Sequence, residues 1–232
     1  MNFDNRVSYV VTFGDLQLWI NESIINMWII MGVLILFAII VRINLRKFTE
    51  VPKGFQNVVE LMVEQFDNFV LSTAGPKLMA VGHWFFMAFA FLFLSNISGL
   101  FGLRPPTADW TVTFAFALAT FTLIQFMALR ARGWGYIKQN FFEPFVLFFP
   151  LNLIGELARP IALSFRLFGN VLSGFILLGV VYGLVPWFVR IGVPVALHAY
   201  FDLFIGLIQT YIFIVLSLAF IGGAAASETE SA

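Results

Sequence analysis

The stretch Leu151-Asn-Leu-Ile-Gly-Glu156-Leu-Ala-Arg159-Pro-Ile-Ala-Leu-Ser-Phe-Arg166-Leu-Phe-Gly-Asn170 carries two arginines and a glutamate inside an apolar run that continues to about Val185. A guanidinium cannot shed its proton, and holding it away from water costs several kcal/mol, so Arg166 marks a pathway or a charged partner. As one helix the run from Leu151 to Val185 would be roughly 50 Å long, against a hydrocarbon core of about 30 Å. It must tilt strongly, bend at Pro160, or break. The last apolar stretch, about Pro194 to Gly222, would be roughly 43 Å long and faces the same choice. A long, inclined antiparallel hairpin is the expected arrangement.

The surrounding composition fixes the class. Of 232 residues, 60% are hydrophobic and 11% charged, with a mean hydropathy of +0.92, which is the composition of an all-α integral membrane protein rather than a soluble domain. The absence of cysteine excludes disulfides, thiolate metal sites and a cysteine nucleophile. A formal net charge of zero offers no basic arm for nucleic acid. Residues Met1 to Arg6 lack the pattern of a removed signal peptide. There is no GxxxxGK[ST] loop, HExxH pair or nucleophile elbow, so no catalytic site, cofactor or metal is expected in this chain.

Three further apolar runs precede the decisive stretch, at about Ile24–Val41, Gly82–Leu103 and Val112–Leu129, giving five membrane helices in all. Between Pro52 and Gly75, Phe55, Val58, Val59, Met62, Phe66, Phe69 and Val70 recur at helical spacing opposite Gln56, Glu60, Glu64, Asp67 and Asn68. That pattern predicts an amphipathic helix on the membrane surface, against a partner, or packed on the chain's own loops. Segments 42–53 and 130–138 hold seven lysines and arginines and the turn near Asp109 holds one, so the N-terminus and Asp109 are expected outside and the C-terminus in the cytoplasm. The whole chain, 1–232, reads as a single membrane domain. It comprises an outer N-terminal segment (1–23), upright helices with the surface helix (24–150), the hairpin (151–223) and a polar tail (224–232).

At about 100° per residue, Asn152, Arg159, Asn170 and Ser173 fall near one line with Arg166, and His198, Asp202 and Gln209 share a line on the last helix. Polar seams on otherwise apolar helices should face protein or water. A structural alternative stays open, in which Arg159 and Arg166 pair with Glu156 and Asp202 to hold the hairpin together. It fits Glu156 and Arg159, three residues apart, as readily as a pathway does. It fits Arg166 less well, because a buried ion pair stabilises little more than a hydrophobic substitute. His198 taken alone reads as a structural histidine.

Glu156 to Asn170, together with Gln209-Thr-Tyr-Ile-Phe213, Leu94-Ser-Asn96 and Pro106-Thr-Ala-Asp109, resembles subunit a of the F-type ATP synthase, and the order of membrane segments agrees over nearly the whole chain. The resemblance implies a non-catalytic stator subunit of a rotary machine. Its long hairpin would lie against a c-subunit ring, each c subunit bearing one carboxylate in the membrane. It further implies the b-subunit peripheral stalk and the rest of the complex as partners, in a lipid bilayer expected to be the bacterial inner membrane. Carried onto this sequence, Arg166 would face the ring. Asp109, Asn170, Asp202, Gln209 and, less directly, His198 would line an outer half-channel, and Asn152 and Glu156 an inner one, with Ser164 or Ser173 as water contacts. Some members carry an acid or histidine nine residues after the arginine, where this chain has Phe175. Two other classes compete: a self-contained transporter gated by Arg166 and Asp202, which the missing internal repeat disfavours, and a membrane scaffold.

Overall fold

A computed structural model of the chain describes residues 7–13, 16–142, 145–184, 186 and 192–225. Among these, five helical segments are long and apolar enough to cross a membrane: Glu22–Lys47, Leu78–Phe101, Trp110–Arg132, Phe149–Leu184 and Val193–Ala224. The all-α membrane class and the five spans expected from the sequence are therefore found. Most of the expected polar tail and of the turn after Pro186 lies outside the described residues.

One element was not anticipated. Strands β1 (Val7–Phe13) and β2 (Leu16–Asn21) pair antiparallel, built from the valines, threonine and aromatics that suit a pleated surface. Helix α1 (Glu22–Asn44) comes directly after, with Glu22 in its first turn and Arg42 in its last, each complementing the helix dipole. Helix α2 (Phe55–Ala74) is the predicted amphipathic helix. The remaining helices are α3 (Gly82–Ile97), α4 (Trp110–Arg132), the short α5 (Trp134–Ile137), α6 (Phe149–Leu184), α7 (Val193–His198) and α8 (Gly206–Ala225). Residues Ala199–Ile205, between α7 and α8, form a π-helix.

These elements gather into two compact units. The first takes in Met1–Glu50, Phe89–Val112 and Leu167–Thr210; the second takes in Val51–Ala88, Thr113–Arg166 and Tyr211–Ala232. Within the first, Asn96 ties three segments together: its amide donates to the Gly206 carbonyl at 3.0 Å and to Thr210 Oγ1 at 3.1 Å, and its oxygen accepts from Thr107 Oγ1 at 3.2 Å. Satisfying a buried amide on three sides in an apolar setting fixes their register. Within the second, Phe85, Leu163, Phe213, Ile214, Leu218 and Ile221 are buried, and Ala117, Thr120 and Ala128 give α4 a smooth face for close helix packing.

Helix α2 uses its apolar face unevenly. Phe66 meets Phe86 edge-on at 5.2 Å, Phe69 meets Tyr211 at 5.6 Å, and Val70 is fully buried. Phe55, Val58 and Met62, nearer the N-terminus, are exposed. The C-terminal portion of the face thus packs within the second unit.

Candidate functional site

Helix α6 runs 36 residues without a break, through Pro160, and Arg166 stands at its middle. The length that seemed to demand a tilt, bend or break is met without a break. One face of α6 is solvent-accessible in the isolated chain along its whole course: Ile154, Leu157, Ile161, Phe165, Gly169, Ser173, Leu177, Val180 and Leu184 succeed one another at steps of three or four. Arg166 lies beside Phe165 on this apolar row and is itself exposed. Among the described residues no carboxylate pairs with it, whereas Arg159 and His198 both have acidic partners.

The first unit holds a small cleft whose polar lining is Asn96, Asn170, Asp202 and Gln209, closed by Phe201, Gly174 and Ile205. Asn170 Nδ2 donates to Gln209 Oε1 at 2.5 Å. Gln209 is 3% exposed, and its Nε2 finds no acceptor among the described residues. A buried donor left unmet costs about 1–3 kcal/mol, so this amide is set for water or an incoming oxygen. Asp202 Oδ2 lies 2.6 Å from His198 Nδ1, and Tyr182 Oη is 3.4 Å from His198 Nε2. Gly99 makes room for the carboxylate: a Cβ there would come within 2.8 Å of Asp202 Cγ and Oδ2. Above Phe175 lies the guanidinium of Arg104, 6.0 Å from the ring centre, in cation–π range.

Glu156 organises a separate cluster in the second unit. Only 4% exposed, it accepts from Arg159 NH1 at 2.7 Å, Asn140 Nδ2 at 2.6 Å and Gln125 Nε2 at 3.0 Å. Arg159 is further held over the Phe220 ring at 5.2 Å. Tyr136, in α5 beside this cluster, has its hydroxyl pKa raised by burial and then by the Glu156 charge; it stays neutral at any ordinary pH. Removing the carboxylate by Glu156→Ala leaves two amides without their acceptor, but Arg159 is 38% exposed and can turn to water. The expected cost is therefore about 1–3 kcal/mol, below the range for a fully buried pair. Thermal unfolding in detergent checks it, and an unchanged midpoint would contradict the clasp.

The deciding comparison is with known families: residues 24–222 match the model of the ATP synthase A chain. The chain belongs to the ATP synthase A chain family. It is 33% identical over 216 residues to ATP synthase subunit a 2 of Acaryochloris marina, covering 91% of this chain and 87% of that one. A sodium-ion-specific ATP synthase subunit a from Propionigenium modestum is 33% identical over 218 residues, covering 87% and 73%. The chloroplastic subunit a of Oedogonium cardiacum is also 33% identical, over 221 residues, covering 90% and 84%.

For this A chain, the structure brings Asn170, Asp202 and Gln209 to one cleft with His198 bonded to Asp202. Asp109 is elsewhere, its Oδ1 accepting the Thr111 N–H at 3.0 Å at the start of α4, as a helix cap does. Asn152 donates to the Phe141 carbonyl at 3.3 Å. Ser164 is buried against Thr113, Oγ to Oγ1 3.3 Å, and Ser173 donates to the Asn170 carbonyl at 2.9 Å. The sequence singled out Asn96 only within the Leu94-Ser-Asn96 match, without a place in the site, and did not point to Gly99 or Tyr182. A lone asparagine in an apolar run was a signal for the first; nothing local marks the other two.

Proposed function

We propose that this member of the A chain family is the stator ion-channel subunit of an F-type ATP synthase. Two offset aqueous half-channels and Arg166, set opposite the carboxylates of a c-subunit ring, couple transmembrane proton flow to ring rotation and ATP synthesis. The observation that carries this reading is the exposed guanidinium at mid-helix, on an apolar face, with no acid of the described chain paired to it. Turned to lipid it would be costly. Turned to a second protein bearing carboxylates, it acts: a carboxyl in hydrocarbon is kept neutral by desolvation, and the same group beside a guanidinium is favoured as the anion. Each arriving site therefore gives up its ion, and the fixed cation repels any ion attempting to cross directly.

The outer half-channel is assigned to the cleft of Asp202, Asn170 and Gln209 with His198, and Asp109 to its mouth. The orphan Gln209 amide offers the contact that softens a ring carboxylate's attraction to Arg166, which must not become a dry, permanent pair. An inner path would pass Asn152 and Glu156; with three donors already on its oxygens, Glu156 would frame that path rather than carry the ion. The lysine and arginine bias supports an N-terminus outside and a cytoplasmic C-terminus in a bacterial inner membrane. The exposed Val58 and Met62 of α2 would then meet the bilayer surface or the b-subunit stalk.

Purified chain in vesicles under an imposed gradient should be inert, with proton flux appearing only when the c ring is added. Flux from the chain alone would reject this reading in favour of a self-contained transporter.

A further inference from the structure

We infer that residues 130–149, which join α4 to α6, form an interfacial seat for an anionic phospholipid: exposed aromatics enter the headgroup boundary, and Arg130, Arg132 and Lys138 meet the lipid phosphate. The inference rests on the membrane class of the chain and not on the rotary reading. Seven of the seventeen residues from Gly133 to Phe149 are aromatic. The stretch is too short and too broken to cross a bilayer, since a span needs about 20 helical residues and irregular backbone is not left bare to hydrocarbon. Gly133, at φ +59°, stops α4; then come α5, the π-helix Lys138–Phe142, a 3-10 turn at Val146–Phe148, and α6. The spans Trp110–Arg132 and Phe149–Leu184 end and begin here, so the stretch lies along the membrane boundary.

One side of the stretch is tied down and the other is not. Tyr136 is buried, Asn140 Nδ2 donates to Glu156 Oε1 at 2.6 Å, and Asn152 Nδ2 donates to the Phe141 carbonyl at 3.3 Å, all against the start of α6. On the other side Trp134, Phe145 and Leu147 are 84%, 69% and 86% exposed, and Phe142 is stacked on Phe149 at 5.1 Å. Aromatics held outward at a span end are the side chains that settle at headgroup level. The charge around them has one sign: Arg130 and Lys138 are exposed, and Arg132 is fixed to the π-helical turn by donating to Gln139 Oε1. Residues 130–149 contain one acid, Glu143, and the oxygens of nearby Glu156 already hold three donors. A cationic rim beside apolar rings complements a phosphate with acyl chains beneath it, and each basic residue at an anionic surface is worth roughly fivefold in occupancy. A zwitterionic headgroup carries its own cation and gains less.

The test uses the whole ATP synthase in phosphatidylcholine nanodiscs, prepared with the wild-type chain and again with Trp134→Phe, so that the difference in emission reports Trp134 alone. Brominated acyl chains quench a tryptophan that they touch. Dibrominated phosphatidylglycerol, added as a minor fraction, should quench Trp134 with a preference of roughly fivefold or more over dibrominated phosphatidylcholine at the same fraction. Arg130→Gln combined with Lys138→Gln should lose most of that preference, and so should 1 M salt, where charges are screened within about 3 Å. Inorganic phosphate in the medium should not displace the lipid, because it lacks the chains that the aromatics hold. Quenching by neither lipid would mean that water or another subunit covers the stretch, and equal quenching by both would mean apolar contact without headgroup recognition. Either result overturns the inference, as does displacement by inorganic phosphate or a preference indifferent to both the double variant and salt. None of these readouts involves ion flow, so the stator reading stands or falls separately, on the vesicle flux.

Discussion

Arg166→Ala is expected to leave the complex assembled and to lower coupled ATP synthesis at least roughly a hundredfold. A charge at the centre of the bilayer costs about 3 kcal/mol even on lenient scales. Without the guanidinium, each ring carboxylate must bear that cost alone to release its ion, and about 1.4 kcal/mol corresponds to tenfold in rate. Assembly should survive because Arg166 is exposed and makes no ion pair within the described chain. Passive proton leak should rise, since the cation proposed to separate the two half-channels is gone. Arg166→Lys should not repair the defect: an ammonium lacks the planar fork and can lose its proton where it is dry. Synthesis assays and subunit content of the purified complex decide the matter. Near-normal synthesis in the alanine variant would end the stator account, and loss of assembly would point to a scaffold role.

The second large effect comes from two glycines with opposite consequences. At Gly206 a Cβ would stand 2.7 Å from Asn96 Cβ, an atom fixed to the backbone of α3. Gly206→Ala must force α3 and α8 apart and disturb the Asn96 bonds to the Gly206 carbonyl and Thr210. Overpacking of this kind costs about 1–3 kcal/mol, and lost hydrogen bonds add about 1 kcal/mol each, so a lowered unfolding midpoint and reduced yield are expected. At Gly99 the clash is with the end of the Asp202 side chain, which can swing away. Gly99→Ala should melt close to wild type and lose most of its synthesis, because the carboxylate leaves His198. Normal synthesis in Gly99→Ala would remove Asp202 from the pathway. A wild-type midpoint in Gly206→Ala would mean that the Asn96 junction is not a structural tie.

Length and polarity carried the sequence reading far. The five spans, the amphipathic helix and the isolation of Arg166 come from runs of apolar residues and from the cost of charge in hydrocarbon, both of which depend on neighbours along the chain. Asn170, Asp202 and Gln209 were legible as seam positions for the same reason, and the structure gathers them at one cleft. Pairings decided by tertiary packing were not legible. Glu156 could be read as a channel group or as the partner of Arg159, and only folding shows its oxygens taken up by three donors. Gly99 looks like any other glycine until Asp202 is placed against it. Tyr182 and His198 come together from two different helices, and no periodicity within either dictates that pairing. The valines and aromatics of β1 and β2 are a local strand signal, but two short strands are too brief to register in a pattern of membrane-spanning lengths.

The π-helix between α7 and α8 has a consequence for comparing relatives. Its wider coil, with i to i+5 bonding, accommodates a residue more than the α-helical path would and changes the azimuth of every residue downstream. Asp202 lies inside it and Gln209 beyond it, so a homologue that lacks this widening would present the same column of an alignment at a different bearing around the helix axis. Correspondence of acids and histidines upstream of Gln209 has to be judged by superposed positions in space, and residue counting there will pair groups that never occupy the same place.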